Sequence, residues 1–357
     1  MDFSRSKSSP WSVTTFPEKS IQDRLANWWA FGDQETPCLI GTVLDGELPN
    51  AGDIERFWTD EVFIMERKLA EIRQTTWYGV AVPFHYVDQG SSAMAGVLGC
   101  RMEALDQETV WAHPHLQSIE DLGAVSFSPD NPLYQRIRRI TAASCACARG
   151  HHMVAPFAME GLCDLMAALY GLEPFLMDLV CEPEMVAAAL DRLKESWLRA
   201  WADIHSVIKT TGNPGGIGWA GIWAPGTTFP MQEDVCYNIS PDSFRAFCIP
   251  YIYDMVAAMD YALFHVDGIG MINHLPHLLQ IPALKAIQWQ PGAGHERLSD
   301  WYGLIESVLR ARKSVQVFGK AEEVAPLVKA VGARGLLVTV TDATHEKMQR
   351  LLELFPQ

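Results

Sequence analysis

The chain has 357 residues, of which 48% are hydrophobic and 20% charged, and its 28 Lys and Arg against 43 Asp and Glu give a formal net charge of −15. This length is too great for a small disulfide-stapled module and allows one large core or two ordinary ones. The acidic balance argues against nucleic-acid binding, because proteins that bind phosphate backbones need a surplus of Lys and Arg.

Residues 1–20 are rich in Ser, Lys and Pro, and we expect them to be loosely ordered. No apolar segment of a secretory leader follows the early basic residues, and no uncharged apolar run approaches the roughly 20 residues needed to span a bilayer. The 8 cysteines are irregularly spaced, which fits a reducing compartment better than a disulfide scaffold. These features predict a soluble, cytoplasmic protein without a membrane partner.

Short apolar runs recur along the rest of the chain. They lack polar alternation, which is typical of strands that are covered on both faces. The predicted strands are Pro37–Val43, Gly79–Pro83, Thr109–Ala112, Met153–Phe157, Gly216–Ile222, Ala262–Val266, Leu284–Trp289, Val315–Phe318 and Gly335–Val340.

Amphipathic segments lie between these runs. The segment Pro183–Trp201 has apolar residues every three or four positions, which predicts a helix with one buried face. Ser240 followed by Pro241 is an N-cap signature, and Pro250 should kink or split the helix that begins there. A last helix is predicted over Thr344–Phe355.

About eight strand–helix alternations favour a single (β/α)₈ TIM barrel, of α/β class, over residues 21–357. The alternative is a two-domain α/β protein divided near Gly150, although the composition marks no boundary there. In a barrel, functional side chains lie at the carboxyl ends of the strands and in the loops that follow.

The segment Phe264–Gly268 stands at such a strand end. His265 and Asp267 are two residues apart on an extended strand, so their side chains should project to the same side and could approach one ion or substrate. Gly268 would allow a tight turn directly after them. The alternative is that the pair merely caps the strand with polar groups.

Two further segments carry candidate residues. Gln288 and Trp289 end the next predicted strand, where they would offer an amide and an aromatic wall to the pocket. The long loop 215–234 contains Trp223 and ends at Asp234, and long irregular loops in compact domains are often binding loops. An ordinary turn with a core Trp, and a surface carboxylate, are the structural alternatives.

His85 and Glu160 also follow strand-like runs, but each is more often structural when taken alone. Cys145 and Cys147, with the nearby His151, are predicted to lie at the end of a helix, where residues two apart point away from each other and cannot share an ion. No GxGxxG, Walker, GxSxG, HExxH or CxxC motif is present, so no nucleotide cofactor is expected.

Several motifs resemble the uroporphyrinogen decarboxylase superfamily, over about residues 50–355. They are Leu169-Tyr-Gly-Leu172, Cys181-Glu-Pro-Glu184, Ser240-Pro-Asp-Ser-Phe244, Pro250-Tyr251, His265-Val-Asp-Gly268 and Ala286-Ile-Gln-Trp-Gln-Pro-Gly-Ala-Gly294. This resemblance implies a (β/α)₈ barrel and either decarboxylation, as in haem synthesis, or zinc-dependent methyl transfer with corrinoid proteins or coenzyme M. The decarboxylase places an Arg-rich segment after the first strand, whereas Leu39–Gly46 contains no Arg.

The methyltransferase branch holds zinc with a His-x-Cys pair and a second, distant Cys. His265 matches the family His, but Asp267 stands at the first Cys position, and the family spacing leads to Asp342 for the second. Carboxylates are harder ligands than thiolates, yet together with an imidazole they can still bind a divalent ion. Asp342 has an alternative role, since it stands where an N-cap of the last helix would be expected.

The resulting hypothesis is metal-assisted methyl (one-carbon) transfer on a small substrate, with zinc the first choice of metal. His265 and Asp267 would bind the ion, Asp342 or Glu160 would complete the ligand set, and the pocket would include Trp223, Gln288 and Trp289. Asp234 and His85 would be acid/base or orienting groups. A corrinoid protein and a homodimeric assembly enter as partners that the resemblance implies.

Two alternatives remain open. One is a metal-free lyase, in which His265 moves a proton and Asp267 or Asp234 stabilises a protonated intermediate. The other is a barrel that binds a corrinoid protein or a small ligand without turnover. Decarboxylation that survives chelators would favour the first, and co-purification of a corrinoid partner would favour the second.

Overall fold

The computed structural model describes residues 16–357. Its strands, in chain order, are β1 (Cys38–Leu44), β2 (Thr75–Gly79), β3 (Phe84–Tyr86), β4 (Arg101–Ala104), β5 (Val110–His113), β6 (Met153–Ala155), β7 (Gly216–Ile217), β8 (Trp223–Ala224), β9 (Thr228–Met231), β10 (Tyr261–Asp267), β11 (Leu284–Gln290), β12 (Ser314–Gly319) and β13 (Leu336–Val340).

The α-helices are α1 (Lys19–Trp29), α2 (Ile54–Thr59), α3 (Glu61–Gln74), α4 (Ala93–Val97), α5 (Pro132–Ala148), α6 (Leu162–Tyr170), α7 (Leu172–Cys181), α8 (Pro183–Ile208), α9 (Pro241–Phe247), α10 (Ile249–Val256), α11 (Leu275–Leu279), α12 (Tyr302–Arg310), α13 (Ala321–Val331) and α14 (His345–Leu354). Short 3₁₀ turns include Asp234–Asn238 and Ile269–His274. Within the described residues, no helix has both the length and the apolar character needed to cross a bilayer.

One large sheet organises the fold, with the strand order β2-β1-β13-β12-β11-β10-β9. Its strands are parallel, except that β2 runs antiparallel to β1. Parallel neighbours need crossover connections, which the intervening helices provide. Because β1 pairs with β13, with Cys38 opposite Leu337, the segments before and after Gly150 share this sheet. The predicted α/β class with a large parallel sheet is therefore confirmed.

The backbone ladder of this sheet does not close on itself in the described part of the chain. Strands β3 and β6 form a separate parallel pair, with Phe84 opposite Met153. The predicted strand Gly79–Pro83 is wrong, because only its first residue belongs to a strand. Gly79 has a φ of +67°, and a Cβ there would lie 2.1 Å from the Leu39 carbonyl oxygen, so the chain turns at this glycine instead of continuing the ladder. A closed barrel remains a prediction.

Two apolar clusters are buried in the described residues, and the larger one lies between the sheet and the helices. The second cluster contains Cys38, Ala155, Leu263 and Ala286, which belong to four different strands. It also contains Trp28 and Trp29 of α1. The Trp28 indole donates to the carbonyl of Gly335, just before β13. Helix α1 therefore covers the amino-terminal ends of the strands. Complete burial of a side chain as large as Trp28 contributes on the order of 2–3 kcal/mol.

The predicted helix signals are largely confirmed. The amphipathic segment that begins at Pro183 forms α8, which continues to Ile208. The Ser240 hydroxyl accepts a hydrogen bond from Ser243 N at the start of α9. The helix is interrupted at Cys248, which separates α9 from α10. Pro250 lies in the first turn of α10, where its missing N–H is tolerated.

Two sequence predictions concern the ends of elements and of the chain. The predicted loose segment 1–20 falls mainly on residues 1–15, which lie outside the described residues, and α1 begins at Lys19. The N-cap of α14 is Thr344, whose hydroxyl accepts from Lys347 N. The N-cap alternative for Asp342 is therefore wrong.

Candidate active site

The centre of the candidate site is formed by His265 and Asp267 at the carboxyl end of β10. Alternation along the strand places both on one face, and His265 Nε2 lies 3.6 Å from Asp267 Oδ2. Gly268 follows with a φ of +80°, which turns the chain directly after the pair. The strand periodicity thus brings the two side chains together as expected from the sequence.

The other ring nitrogen of His265 is held by the neighbouring strand. Residues His265 and Gln288 are opposite each other in the pairing of β10 with β11, and His265 Nδ1 lies 2.5 Å from Gln288 Oε1. Because a carbonyl oxygen only accepts hydrogen bonds, the hydrogen of the neutral ring resides on Nδ1. The lone pair of Nε2 then faces the Asp267 carboxylate.

The hydrogen-bonded chain continues across the sheet. Gln288 Nε2 donates to Gln316 Oε1 at 2.6 Å, and Gln316 Nε2 donates to Thr339 Oγ1 at 3.0 Å. Both glutamines are 1% exposed, so their amide groups need these partners. A chain of side-chain hydrogen bonds across four adjacent strands, with two buried glutamines at its centre, therefore fixes the orientation of His265.

Asp234 completes a group of three potential ligands. It begins the 3₁₀ turn Asp234–Asn238, and ligand atoms of Asp234, His265 and Asp267 all lie within 4.8 Å of one another. We call this group the Asp–His–Asp site. The site mixes one imidazole with two carboxylates.

The spacing of His265 and Asp267 within the Asp–His–Asp site fits two ligands of one divalent ion. Typical zinc–nitrogen and zinc–oxygen bonds imply a ligand separation of about 3.4 Å, close to the 3.6 Å between His265 Nε2 and Asp267 Oδ2. Without a proton or a cation between them, a ring lone pair and a carboxylate at this distance would repel each other. An outer amide that orients the imidazole, as Gln288 does, is a regular companion of metal-binding histidines.

A further carboxylate lies behind the Asp–His–Asp site. Asp164 accepts hydrogen bonds from Asp234 N at 3.1 Å and from Val235 N at 2.7 Å. Desolvation, followed by the nearby charge of Asp234, raises the pKa of Asp164 to about 7. Desolvation also raises the pKa of Asp234, although the proximity of His265 opposes this effect. The Asp–His–Asp site is thus an acidic, partly exposed site in which an added positive charge would be favoured.

A cavity of about 270 Å³ lies beside His265, since two of its lining residues, Gln288 and Trp219, contact that side chain. Gln288, Gln316 and Thr339 supply its polar wall, and Trp77, Phe84 and Trp219 supply aromatic walls. The Trp219 ring meets the His265 ring edge to face, with the centroids 5.1 Å apart. A space of this size, mostly apolar with a few amides, suits a small organic molecule.

Asp342 is engaged elsewhere. Its Oδ1 accepts from Ala321 N at 2.8 Å, and its Oδ2 forms an ion pair with Lys347. Partial desolvation would raise the pKa of Asp342. The hydrogen bonds from Lys347 and Ala321 N outweigh that effect and hold the pKa below its usual value. The structure groups Asp234, not Asp342, with His265 and Asp267.

His85 and Trp289 lie on the faces of their strands that point away from the cavity, towards the surrounding helices and loops. His85 Nδ1 is 2.9 Å from the Ser144 hydroxyl of α5, and burial lowers the pKa of His85 well below its usual value. Trp289 packs against Trp301, with 5.0 Å between the ring centroids. Successive residues of a strand face opposite sides, so Gln288 and Trp289 cannot both line one pocket.

Glu160 and Trp223 also lie apart from the Asp–His–Asp site. The Glu160 carboxylate accepts from Met94 N at 2.9 Å and from Ala95 N at 3.3 Å, at the first turn of α4. The Trp223 carbonyl accepts from the indole of Trp29 in α1, which places Trp223 at the amino-terminal end of the strands. The residue of that loop that contacts His265 is Trp219.

Three residues were missed in the sequence analysis. Gln316 carried a usable signal, because a lone amide within the apolar run Val315–Phe318 must find a buried partner. Trp219 lies in the loop 215–234, and nothing in the sequence distinguishes it from Trp223. Asp164 lies within a helical pattern, and its contact with the Asp234 segment depends on tertiary structure alone.

Of the comparisons with known proteins, the one with solved structures gives a match. No family model matches the sequence, and no curated protein sequence does either. Among solved structures, the chain is similar to a methyltransferase from Methanosarcina mazei, with a TM-score of 0.61 and 12% identity over 94% of this chain and 97% of that one. At this identity the similarity shows a shared fold.

Proposed function

We propose that this protein is an enzyme that transfers a methyl group, with the Asp–His–Asp site as its catalytic centre and zinc as its first-choice metal. The observation that carries the proposal is the convergence of Asp234, His265 and Asp267 at the carboxyl ends of the strands, with His265 fixed by Gln288. The shared fold with a methyltransferase supports the same reaction class.

The proposal includes a single (β/α)₈ barrel of the uroporphyrinogen decarboxylase type. Alternate residues of β1, β6, β10, β11 and β13 contribute to one interior cluster, which is expected when strands surround a common axis. The pairs β3–β6 and β7–β8 would complete the wall where the main ladder stops. In such a barrel the carboxyl ends of the strands are the catalytic face.

Each residue near the cavity has a proposed task. Asp234, His265 and Asp267 would hold the metal, which when bound would act as a Lewis acid toward a methoxy, hydroxyl or thiol group of the substrate. Gln288 keeps Nε2 of His265 free of hydrogen and directed at Asp267. The edge of Trp219 and the aromatic walls exclude water from the cavity and limit the substrate to a small molecule.

The test combines metal binding with methyl transfer. Zinc content is measured after stringent dialysis, and activity is followed as loss of the cobalt–methyl bond when free methylcobalamin is incubated with a small thiol and the zinc-loaded protein. Methylcobalamin serves as donor because the resemblance implies a corrinoid partner. We expect His265→Ala and Asp267→Asn to lower the rate by about 100-fold or more, because Lewis-acid stabilisation is worth several kcal/mol.

Asp300→Asn is the matched control, since Asp300 is an exposed aspartate remote from β10 in sequence. It should retain full zinc content and rate. A metal-free wild-type protein whose His265→Ala and Asp267→Asn variants keep full activity would refute the proposal.

A metal-free lyase is the second candidate, and the raised pKa of Asp234 favours it. A carboxyl with a raised pKa holds a proton more readily, and beside His265 it could deliver that proton to a carbanion after loss of carbon dioxide. In that case, release of carbon dioxide from a small carboxylic acid would persist in the presence of a chelator and would be lost in Asp234→Asn.

A further inference from the structure

Three cysteines from separate segments meet behind the Asp–His–Asp site. Cys163 is the second residue of α6, Cys236 lies in the 3₁₀ turn that begins at Asp234, and Cys248 stands between α9 and α10. Cys248 Sγ lies 3.5 Å from Cys163 Sγ and 3.3 Å from Cys236 Sγ. All three side chains are completely buried, and we call them the thiol cluster.

A buried carboxylate adjoins the thiol cluster. Glu233 is 0% exposed, and its two carboxylate oxygens accept from Leu162 N and Cys163 N, each at 2.9 Å. No Lys or Arg forms a salt bridge with Glu233 in the part of the chain that the structure describes. Buried anionic groups are normally paired with a cation or bound to a metal. Among the described residues, the cluster and its carboxyl group thus have no cationic side chain as a partner.

The spacing of the sulfur atoms matches a soft metal ion more closely than a disulfide. Sulfur atoms bound to one tetrahedral zinc ion lie about 3.8 Å apart, given zinc–sulfur bonds near 2.3 Å. The observed distances of 3.3 and 3.5 Å are within a few tenths of an ångström of that value. A disulfide requires about 2.05 Å, and all three cysteines are free.

From these contacts we propose that Cys163, Cys236 and Cys248 form a second, structural zinc site beside the buried Glu233. Such an ion would tie α6 and the α9–α10 junction to the turn that carries Asp234, and so hold the Asp–His–Asp site in place. Cysteine ligands and complete burial are typical of structural zinc sites. Loading would accompany folding, because the cluster has no contact with solvent.

The experiment counts zinc in the full-length protein, expressed with zinc and purified under reducing conditions. All variants carry Cys181→Ser, which removes the one exposed cysteine of the described residues. The double variant His265→Ala/Asp267→Asn disables the Asp–His–Asp site and should keep about one zinc ion per chain after dialysis against a chelator. Adding Cys248→Ser to that double variant should remove the remaining ion.

A matched control and a second readout keep the result interpretable. Cys38→Ser also alters a buried cysteine, but one without a thiol neighbour, and should leave the zinc count unchanged. Cys248 is completely buried, so a readout that needs no change in the core is added: cobalt is substituted for zinc in the double variant itself. Thiolate ligands then give a sulfur-to-cobalt charge-transfer band in the near ultraviolet, which carboxylate and imidazole ligands do not give.

The outcomes separate this inference from the proposed function. A double variant that holds no zinc and shows no charge-transfer band overturns the thiol site and leaves the Asp–His–Asp site untouched. A disulfide among the three cysteines in the reduced protein would also overturn it. A wild-type protein with one zinc ion that survives the double variant would support the thiol site and count against a metal in the Asp–His–Asp site.

Discussion

Gln288 accepts a hydrogen bond from His265 across adjacent strands, while Nε2 of the same ring faces Asp267 at 3.6 Å. That separation is too long for a direct hydrogen bond and suits two ligands of one ion. The arrangement assigns different tasks to the two ring nitrogens, one for orientation and one for binding.

The first prediction concerns the orienting amide. Replacing Gln288 by Ala removes the acceptor of the Nδ1 hydrogen, so the ring can rotate and zinc affinity at the Asp–His–Asp site should fall by about 10- to 100-fold. Isothermal titration of the metal-free protein measures this change. Gln288→Glu keeps the acceptor and should restore most of the affinity, even though it loses the hydrogen bond to Gln316. Equal losses in both variants would contradict an orienting role.

A second prediction separates Asp342 from Asp267. Asp342 is bound to Ala321 N and Lys347, so Asp342→Asn should lower the free energy of unfolding by about 0.5–1.5 kcal/mol and leave the zinc content unchanged. Asp267→Asn should show the reverse, with loss of the zinc ion of the Asp–His–Asp site and little loss of stability. Urea unfolding and metal analysis of both variants provide the comparison. Loss of zinc in Asp342→Asn would restore the ligand set expected from the sequence.

Glu160 gives a prediction about pH. Burial raises the pKa of Glu160 to about 8, against an ordinary value of 4.5. Between these values the folded protein retains a proton that the unfolded chain has released, so this residue's contribution to the free energy of unfolding falls as the pH rises from about 4.5 to about 8. Glu160→Gln removes that dependence.

The stability difference between Glu160→Gln and the wild type should therefore shift in favour of the variant by ~2–4 kcal/mol from pH 5 to pH 9. Urea unfolding at pH 5, 7 and 9 measures it. The control is Glu108→Gln, which alters an exposed glutamate and should give a difference independent of pH. A difference that is constant for Glu160→Gln as well would mean that its carboxyl is ionised in the folded protein throughout.

Trp219 and Trp223 give a fourth prediction, because they lie four residues apart in one loop but have different surroundings. Trp223 is 3% exposed and packs in the interior cluster beside α1, so Trp223→Ala should lower the free energy of unfolding by about 3–5 kcal/mol. Trp219→Ala should have a smaller effect on stability and slow methyl transfer by about tenfold, since it opens the cavity next to His265. Thermal unfolding and the methylcobalamin assay distinguish the two roles.

Much of the sheet could be predicted from the sequence. The runs at Ala262–Val266 and Leu284–Trp289 became β10 and β11 because fully covered parallel strands are continuous apolar segments. The prediction failed at Gly79–Pro83, where apolar residues form a turn beside β1 instead of a strand. Hydrophobicity alone does not show that Gly79 must pass within contact of the Leu39 carbonyl.

The candidate site was predictable where local geometry determines it. His265 and Asp267 are two residues apart on one strand, so strand periodicity is sufficient to bring them together. Asp342 and Asp234 show the opposite case, because the choice between them depends on how distant loops pack. The prediction that Trp289 lines the pocket rests only on its position next to Gln288 in the sequence. Adjacent residues of a strand face opposite sides, and Trp289 packs against Trp301 instead.

The amide chain that starts at His265 has a direction, and its far end sets that direction. Gln316 Nε2 is 3.3 Å from the carbonyl oxygen of Ala220, an atom that can only accept, so the Gln316 amide cannot be reversed without losing this bond. The Gln316 oxygen must then accept a hydrogen bond from the Gln288 amide nitrogen. The Gln288 oxygen must in turn accept one from His265 Nδ1. A loop carbonyl bonded to a strand two places from β10 thus selects the tautomer of the histidine, and a mutation that displaces Ala220 would change His265 through this chain of amides.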